Sequence, residues 1–177
     1  MIAKYNSQYF CCDLTVAPVN IWRYDCVEGF DKKTTRRGTI YYEKFVDISE
    51  LDEIFDVGFS VKWNEHWCGA NPSRDGYTVS LLLGWNDGSF ARGHNFSELE
   101  YDRGMVVAWG LNVNIDECEE CRITIEYEYP IKEVHQNIVP KEEWLDMYQK
   151  TVRELIPQNL IKVDYEQSNF KNQFLSE

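Results

Sequence analysis

Long apolar runs are missing from this 177-residue chain. Its best stretch, residues 77–85, is far short of the roughly 20 residues that a membrane-crossing helix needs. Residues 1–8 are polar and lack the charged-then-apolar pattern of a secretory leader. The expectation is a soluble, cytoplasmic protein with no membrane partner. Basic charge is scarce too: 18 Lys and Arg stand against 30 Asp and Glu, a formal charge of −12. Twelve surplus acids repel phosphate, which argues against a general nucleic-acid binder unless a local basic patch overrides the field. Histidine is limited to three residues, and no G-x-S-x-G, G-x-G-x-x-G, phosphate loop, H-E-x-x-H or EF-hand pattern occurs. The chain therefore reads as non-enzymatic, with no catalytic residue assigned. His94 and Arg92, on an expected hairpin strand, read as surface polar positions, and His135, in a connection after Pro130, carries no partner signal.

What the chain does have is apolar and aromatic mass, 44% and 15% of its residues, enough for one core at this length. No internal repeat, low-complexity tract or composition shift divides it. Residues 1–157 are thus expected to form a single domain, and 158–177 a polar, loosely ordered tail. β-branched and aromatic content marks strands at 9–16, 21–24 and 39–46, with 31–38 as a polar loop. Ser49 reads as the N-cap of a short helix over 50–55. Alternation of Val57, Phe59, Val61 and Trp63 makes 57–63 a strand. Gly69, Asn71, Pro72, Asp75 and Gly76 make 65–76 the longest loop. Strands follow at 77–85, 105–115 and 122–129. Residues 90–96 read as a hairpin return across Asn86, Asp87, Gly88 and Ser89, and Ser97 as the cap of a helical turn through 102. Pro140 opens an amphipathic helix over 141–156, with Trp144, Tyr148, Val152 and Leu155 in one stripe, and Pro157 closes it. The fold class read from this pattern is α+β, a mostly antiparallel sheet of about five to seven strands with the C-terminal amphipathic helix packed on it.

Charge is unevenly spread. Between residues 97 and 128 lie nine acids, Glu98, Glu100, Asp102, Asp116, Glu117, Glu119, Glu120, Glu126 and Glu128, against Arg103 and Arg122. Such a field favours a basic macromolecular partner and speeds its capture. The competing explanation is a solvated surface that keeps the protein soluble. Lys32, Lys33, Arg36 and Arg37 form the opposite feature. Direct nucleic-acid contact is confined to them, through the backbone only, because no aromatic lies within the run to stack a base. Trp67, in the expected loop, is the candidate anchor, whereas Trp63, Trp85, Trp109 and Trp144 are expected in the core.

The expected function is that of a small acidic interaction protein that binds and inhibits a basic, nucleic-acid-handling macromolecule, such as a nuclease or nucleoprotein effector. Anti-CRISPR factors, anti-restriction factors, toxin-immunity proteins and nucleic-acid mimics are the comparable classes, by analogy of class rather than of sequence. Two other readings compete. His66 and Cys68 form H-x-C and Cys118 and Cys121 form C-x-x-C, so a small zinc-binding or catalytic domain would bring these four together as a Cys3His site. Acids flanking the C-x-x-C raise its thiol pKa values and weaken that reading, and no cofactor is the expectation. Cys11, Cys12 and Cys26 read as small core residues. The last reading is a sugar- or nucleotide-binding β-rich module built on Trp67.

Overall fold

Asn6 with Ser7 and Asn64 with Glu65 are consecutive residues at positive φ, 49° and 62° in the first pair and 46° and 59° in the second. That is the backbone of a two-residue type I′ turn, which asparagine tolerates well. Each pair closes a tight hairpin, with Tyr5 opposite Gln8 and Trp63 opposite His66. The computed structural model describes residues 1–36, 38–73, 75–102 and 105–150, and the backbone gathers into two units.

The first unit takes in Met1–Asp56 and Glu126–Val134. It contains β1 (Ile2–Tyr5), β2 (Gln8–Asp13), β3 (Val19–Arg23), β4 (Asp31–Thr34), β5 (Ile40–Val46) and the opening residues of β6 (Glu53–Trp63). Pairing is antiparallel throughout, in the order β4-β5-β3-β2-β1-β6. Ala3, Phe10, Cys12, Val19, Ile21, Val46, Leu51 and Ile54 form its core. Between β5 and β6 the chain makes one 3-10 turn, Ile48–Glu50. Asp47 Oδ1 accepts the Ser49 amide at 2.9 Å and Glu50 Oε1 accepts the Asp47 amide at 2.9 Å, a reciprocal cap. Asp47, not Ser49, is therefore the capping residue.

The second unit takes in Val57–Ile125 and His135–Tyr148. It holds the rest of β6, then β7 (His66–Pro72), β8 (Thr78–Gly84), α1 (Gly88–Gly93), β9 (Ser97–Asp102), β10 (Met105–Asn114), and most of β11 (Glu120–Tyr129), β12 (Glu133–Val139) and α2 (Lys141–Lys150). Its core joins Val61, Cys68, Ala70, Val79, Leu81, Leu83, Trp109, Val113, Cys121 and Ile123 to Trp144 of α2. Trp144 meets Phe59 edge-on at 5.9 Å, and its Nε1 donates to the Arg122 carbonyl at 3.3 Å. On β9, Leu99 lies over Gly110 of β10, where a Cβ would come within 2.5 Å of the leucine Cδ1.

The two units repeat one plan. Lys4, Tyr5 and Asn6 lead the first hairpin as Lys62, Trp63 and Asn64 lead the second. The Lys4 carbonyl accepts the Asp52 amide at 2.9 Å, and the Lys62 carbonyl accepts the Glu119 amide at 2.8 Å. Lys4 pairs with Glu53 at 3.5 Å, and Lys62 with Glu120 at 3.2 Å. The capped turn recurs as Ile115–Glu117, with Asn114 and Glu117 in the parts of Asp47 and Glu50. The absence of an internal repeat, expected from the sequence, is thus overturned. Insertions of different length hide the repeat: Lys4 and Lys62 stand 58 positions apart, but Asp47 and Asn114 stand 67 apart.

The α+β expectation of about five to seven strands with a packed C-terminal helix is also overturned. Twelve strands and only two short helices occur among the described residues. Several strands carry little apolar alternation. β4 is exposed along its whole length, and β12 along all but its last residue. The expected loop 65–76 is mostly β7, paired on both edges despite Gly69, Asn71 and Pro72. The expected helical turn at 97–102 is β9, and the expected hairpin return at 90–96 is largely α1. Arg37, residues 151–156 of the expected helix and the expected tail 158–177 lie outside the described residues. No helix among the described residues is long and apolar enough to cross a membrane.

Candidate interaction surface

The expected acids fall into distinct local settings. Glu98 and Glu100 are exposed on β9, where Asp102 also lies, and Asp116 and Glu117 are exposed in the second capped turn. Glu119 and Glu120 are engaged: Lys62 Nζ lies 3.5 Å from Glu119 Oε2 and 3.2 Å from Glu120 Oε1, while Glu119 Oε1 accepts the Glu65 amide at 2.9 Å. The two carboxylates hold the Lys62 ammonium pKa above its ordinary value. Glu117 is engaged as well, accepting the Asn114 amide at 3.0 Å. Glu126 and Glu128 belong to the first unit, and Glu128 pairs with Lys132. Hence the nine acids are not one uniform patch, and three of those nearest the turn have local structural work.

The turn also collects acids that the sequence reading left out. Lys141 Nζ donates to the Asp116 carbonyl at 3.2 Å, which fixes the first turn of α2, with exposed Glu142 and Glu143, beside it. On the turn's other side the Tyr77 carbonyl accepts the Ile115 amide at 2.8 Å. Tyr77 itself is 69% exposed. Its neighbour Asp75 accepts the Tyr77 and Thr78 amides, each at 2.9 Å, and these bonds lower the Asp75 carboxyl pKa. Exposed Tyr77 is thus tied through its backbone to Asp75 on one side and to the capped turn that carries Asp116 and Glu117 on the other. Over its two stretches the second unit holds thirteen acids against six bases. A lysine- or arginine-rich surface would meet both a negative field and an aromatic face there.

Of the candidate phosphate contacts, Lys32, Lys33 and Arg36 are among the described residues. Lys32 and Lys33 are adjacent on edge strand β4 and so point to opposite faces, and Lys33 is 3.6 Å from Glu43. Arg36 is exposed in the turn that follows. Trp67 is a half-buried strand residue rather than a loop residue, and the Arg122 guanidinium covers its ring at 4.1 Å. Trp85, expected in the core, is 71% exposed. The signal missed there was position: it follows Gly84, where the strand ends and the 3-10 turn Trp85–Asp87 begins.

No protein-family model, curated protein or solved structure matches this chain. The chemistry of the remaining candidates therefore rests on their own geometry. Cys68, Cys118 and Cys121 are buried among apolar side chains. Burial pushes the Cys68 thiol up to about 12 and those of Cys118 and Cys121 up to about 11. Acids add to this: Asp87 at Cys68, Glu117 and Glu119 at Cys118, and Glu142 at Cys121, while the Lys141 ammonium opposes it at the last two. Among the described residues no group of three or more His, Cys, Asp or Glu side chains is placed to hold a metal ion. His66 instead faces Asp87, Nε2 to Oδ1 3.3 Å, and stacks on Phe90 at 4.2 Å. His94 stacks on Phe90 too, at 4.1 Å, and its Nδ1 bonds the Phe90 carbonyl at 2.9 Å. A carbonyl only accepts, so Nδ1 carries the proton. The sequence reading missed this arrangement because it placed His94 and Arg92 on a strand, whereas Arg92 lies on α1 and His94 caps it.

Cys26 is exposed, contrary to its expected core position, and Cys11 is half-buried. At pH 8 iodoacetamide is expected to alkylate Cys26 while sparing Cys68, Cys118 and Cys121 in the folded chain, as mass spectrometry of quenched digests would show. The raised thiol pKa values also set a sign. Their stabilisation is complete below the ordinary thiol value and is lost as pH rises toward the values of the folded state, about 11 to 12. Alkylation of the three buried thiols at the Cys26 rate would contradict the packing described.

Proposed function

We propose that the chain is a small acidic interaction protein that binds and inhibits a basic, nucleic-acid-handling macromolecule. The contact surface is the acid-lined end of the second unit, around Asp116 and Tyr77. The observation that carries this reading is the Lys141 bond to the Asp116 carbonyl. It joins the acids of the capped turn to those opening α2, so that Asp116 and Glu142 stand exposed without being consumed by the cap or by Lys62. Charge of this kind steers a cationic partner into register, and its carboxylates occupy sites where the partner would hold phosphate.

The test begins with capture of partners from native cell lysate at low and high salt, followed by association kinetics with the recovered protein. A basic nuclease or nucleoprotein is expected at low salt, with capture weakened as salt screens the field. Asp116→Lys with Glu142→Lys is expected to slow association by about tenfold without unfolding the chain. These two are chosen over Glu117, Glu119 and Glu120, whose carboxylates hold the local backbone or Lys62. Recovery of no basic protein at either salt, or association indifferent to both salt and charge reversal, would overturn the reading.

A further inference from the structure

We propose that Arg122, held on the Trp67 ring, is an anion-binding fork on the outer face of the second unit's sheet, and that its ligand is a single carboxylate. This goes beyond the functional reading above, whose acid-lined surface takes cations. Register puts the residues together. Ser60 stands opposite Gly69 and Lys62 opposite Trp67, so the four share one face of the β6–β7 pair, turned away from Val61 and Cys68 in the core. Arg122 of β11 reaches across to them. Its Nε donates to Ser60 Oγ at 3.1 Å, and its guanidinium carbon lies 4.1 Å from the centre of the Trp67 ring. Ser60, Trp67 and Arg122 all belong to the second unit.

Two constraints fix the fork. Stacking on the ring sets the plane of the guanidinium, and the Nε bond sets its rotation within that plane. Both terminal nitrogens are therefore presented without the loss of side-chain freedom that an unrestrained arginine suffers on binding. Nη1 and Nη2 have no acceptor among the described residues, and no carboxylate there pairs with Arg122. Other cations, Lys4, Arg23, Lys33 and Lys62, do pair with one. In a chain of net charge −12, a half-buried guanidinium without a carboxylate is an exception, and its partial burial carries a cost that a bound anion would offset. The backbone beside the fork is bare. Gly58 precedes Ser60 on the same face and Gly69 stands opposite it, and both are exposed. A Cβ at Gly58 would meet nothing nearer than Thr124 Cβ at 3.8 Å, and one at Gly69 nothing nearer than the Leu82 carbonyl at 3.4 Å. A flat ligand body has room there. Charge then selects the anion. Lys62, opposite Trp67, holds Glu119 and Glu120 at 3.5 and 3.2 Å. Their carboxylates repel a dianion more than a monoanion, and a planar carboxylate meets the fork with two parallel hydrogen bonds.

Benzoate, a flat monocarboxylate, is the first probe, added at neutral pH to the full chain labelled with nitrogen-15 while the Arg122 Nε–H and Trp67 indole resonances are followed. Saturable shifts of both are expected. Benzamide keeps the ring without the charge and should bind about tenfold more weakly, and the dianion phenyl phosphate should also bind more weakly than benzoate. Acetyl-glycyl-leucine separates two sources of the carboxylate. Tighter binding than benzoate assigns the site to a peptide C-terminus, weaker binding assigns it to a small acid, and either supports the proposal. Arg122→Lys keeps the charge but not the planar fork and should weaken benzoate about tenfold. Ser60→Ala releases the Nε and should weaken it severalfold with the spectrum elsewhere unchanged, which keeps the test open if the first variant does not fold. Absence of saturable shifts at Arg122 and Trp67 would overturn the proposal. So would benzamide binding as well as benzoate, phenyl phosphate binding more tightly, or full affinity in the folded variants.

Discussion

Trp144→Ala is expected to cost roughly 3–5 kcal/mol of stability, the range for removing a large aromatic side chain from a core. Trp144 is fully buried, edge-on to Phe59 at 5.9 Å and stacked with Tyr148 at 6.2 Å. It is the residue of α2 that enters the core of the second unit, so its loss leaves the helix without an anchor as well as a cavity. Trp144→Phe keeps a ring in the cavity but loses the Nε1 bond to the Arg122 carbonyl. That variant should lose less, because one hydrogen bond and part of a ring contribute about 1–2 kcal/mol. Urea unfolding followed by circular dichroism measures both. A Trp144→Ala loss below about 1 kcal/mol would mean that α2 is not packed as described.

Phe10→Ala should produce a loss of similar size in the first unit, again roughly 3–5 kcal/mol. Phe10 is 2% exposed and stacks on Phe30 with centroids 5.1 Å apart and planes 10° apart. Tyr5 meets it edge-on at 6.2 Å, and the Arg23 guanidinium lies 5.5 Å over its ring. At the equivalent place in the second hairpin stands Cys68, and the aromatic filling there comes instead from Phe90 and Trp63, 6.4 Å apart edge-on. The two units therefore reach a closed core from the same strands with different side chains. Phe10→Leu restores volume without the stacked ring and should recover more than half of the loss. Equal losses for leucine and alanine would show that ring geometry, rather than volume, decides the site.

The elements legible in the sequence were those with strong apolar patterning. Val57, Phe59, Val61 and Trp63 do alternate along β6. Residues 77–85 hold β8, and Ile123 and Ile125 begin the inward face of β11. Trp144 was legible as the first residue of a helical stripe, and it is buried on α2. The unreadable strands are held by pairing rather than by burial, as in β4, whose Lys32 and Lys33 gave only a loop signal. Asn86, Asp87 and Gly88 looked like a hairpin turn, but Gly88 is buried with the Trp109 ring about 3.5 Å from where its Cβ would stand, and a helix begins there. The acidic balance was legible from composition alone. Which acids are engaged was not, because it depends on contacts of Lys62 with Glu120, of the Glu65 amide with Glu119 and of Lys141 with Asp116, each between residues more than twenty positions apart.

Leu99 resting on Gly110 has a consequence for how β9 keeps its alignment. Among the described residues β9 pairs with β10 alone, and its register against β10 is irregular between Val106 and Trp109, so regular pairing alone does not pin it. The bare backbone at Gly110 acts as a keyway and the leucine as the key. A shift of one residue would turn Leu99 toward the other side of the sheet and leave the slot empty. The alignment of this acid-bearing strand, and with it where Glu98 and Glu100 stand, thus depends on the one residue that contributes no side chain.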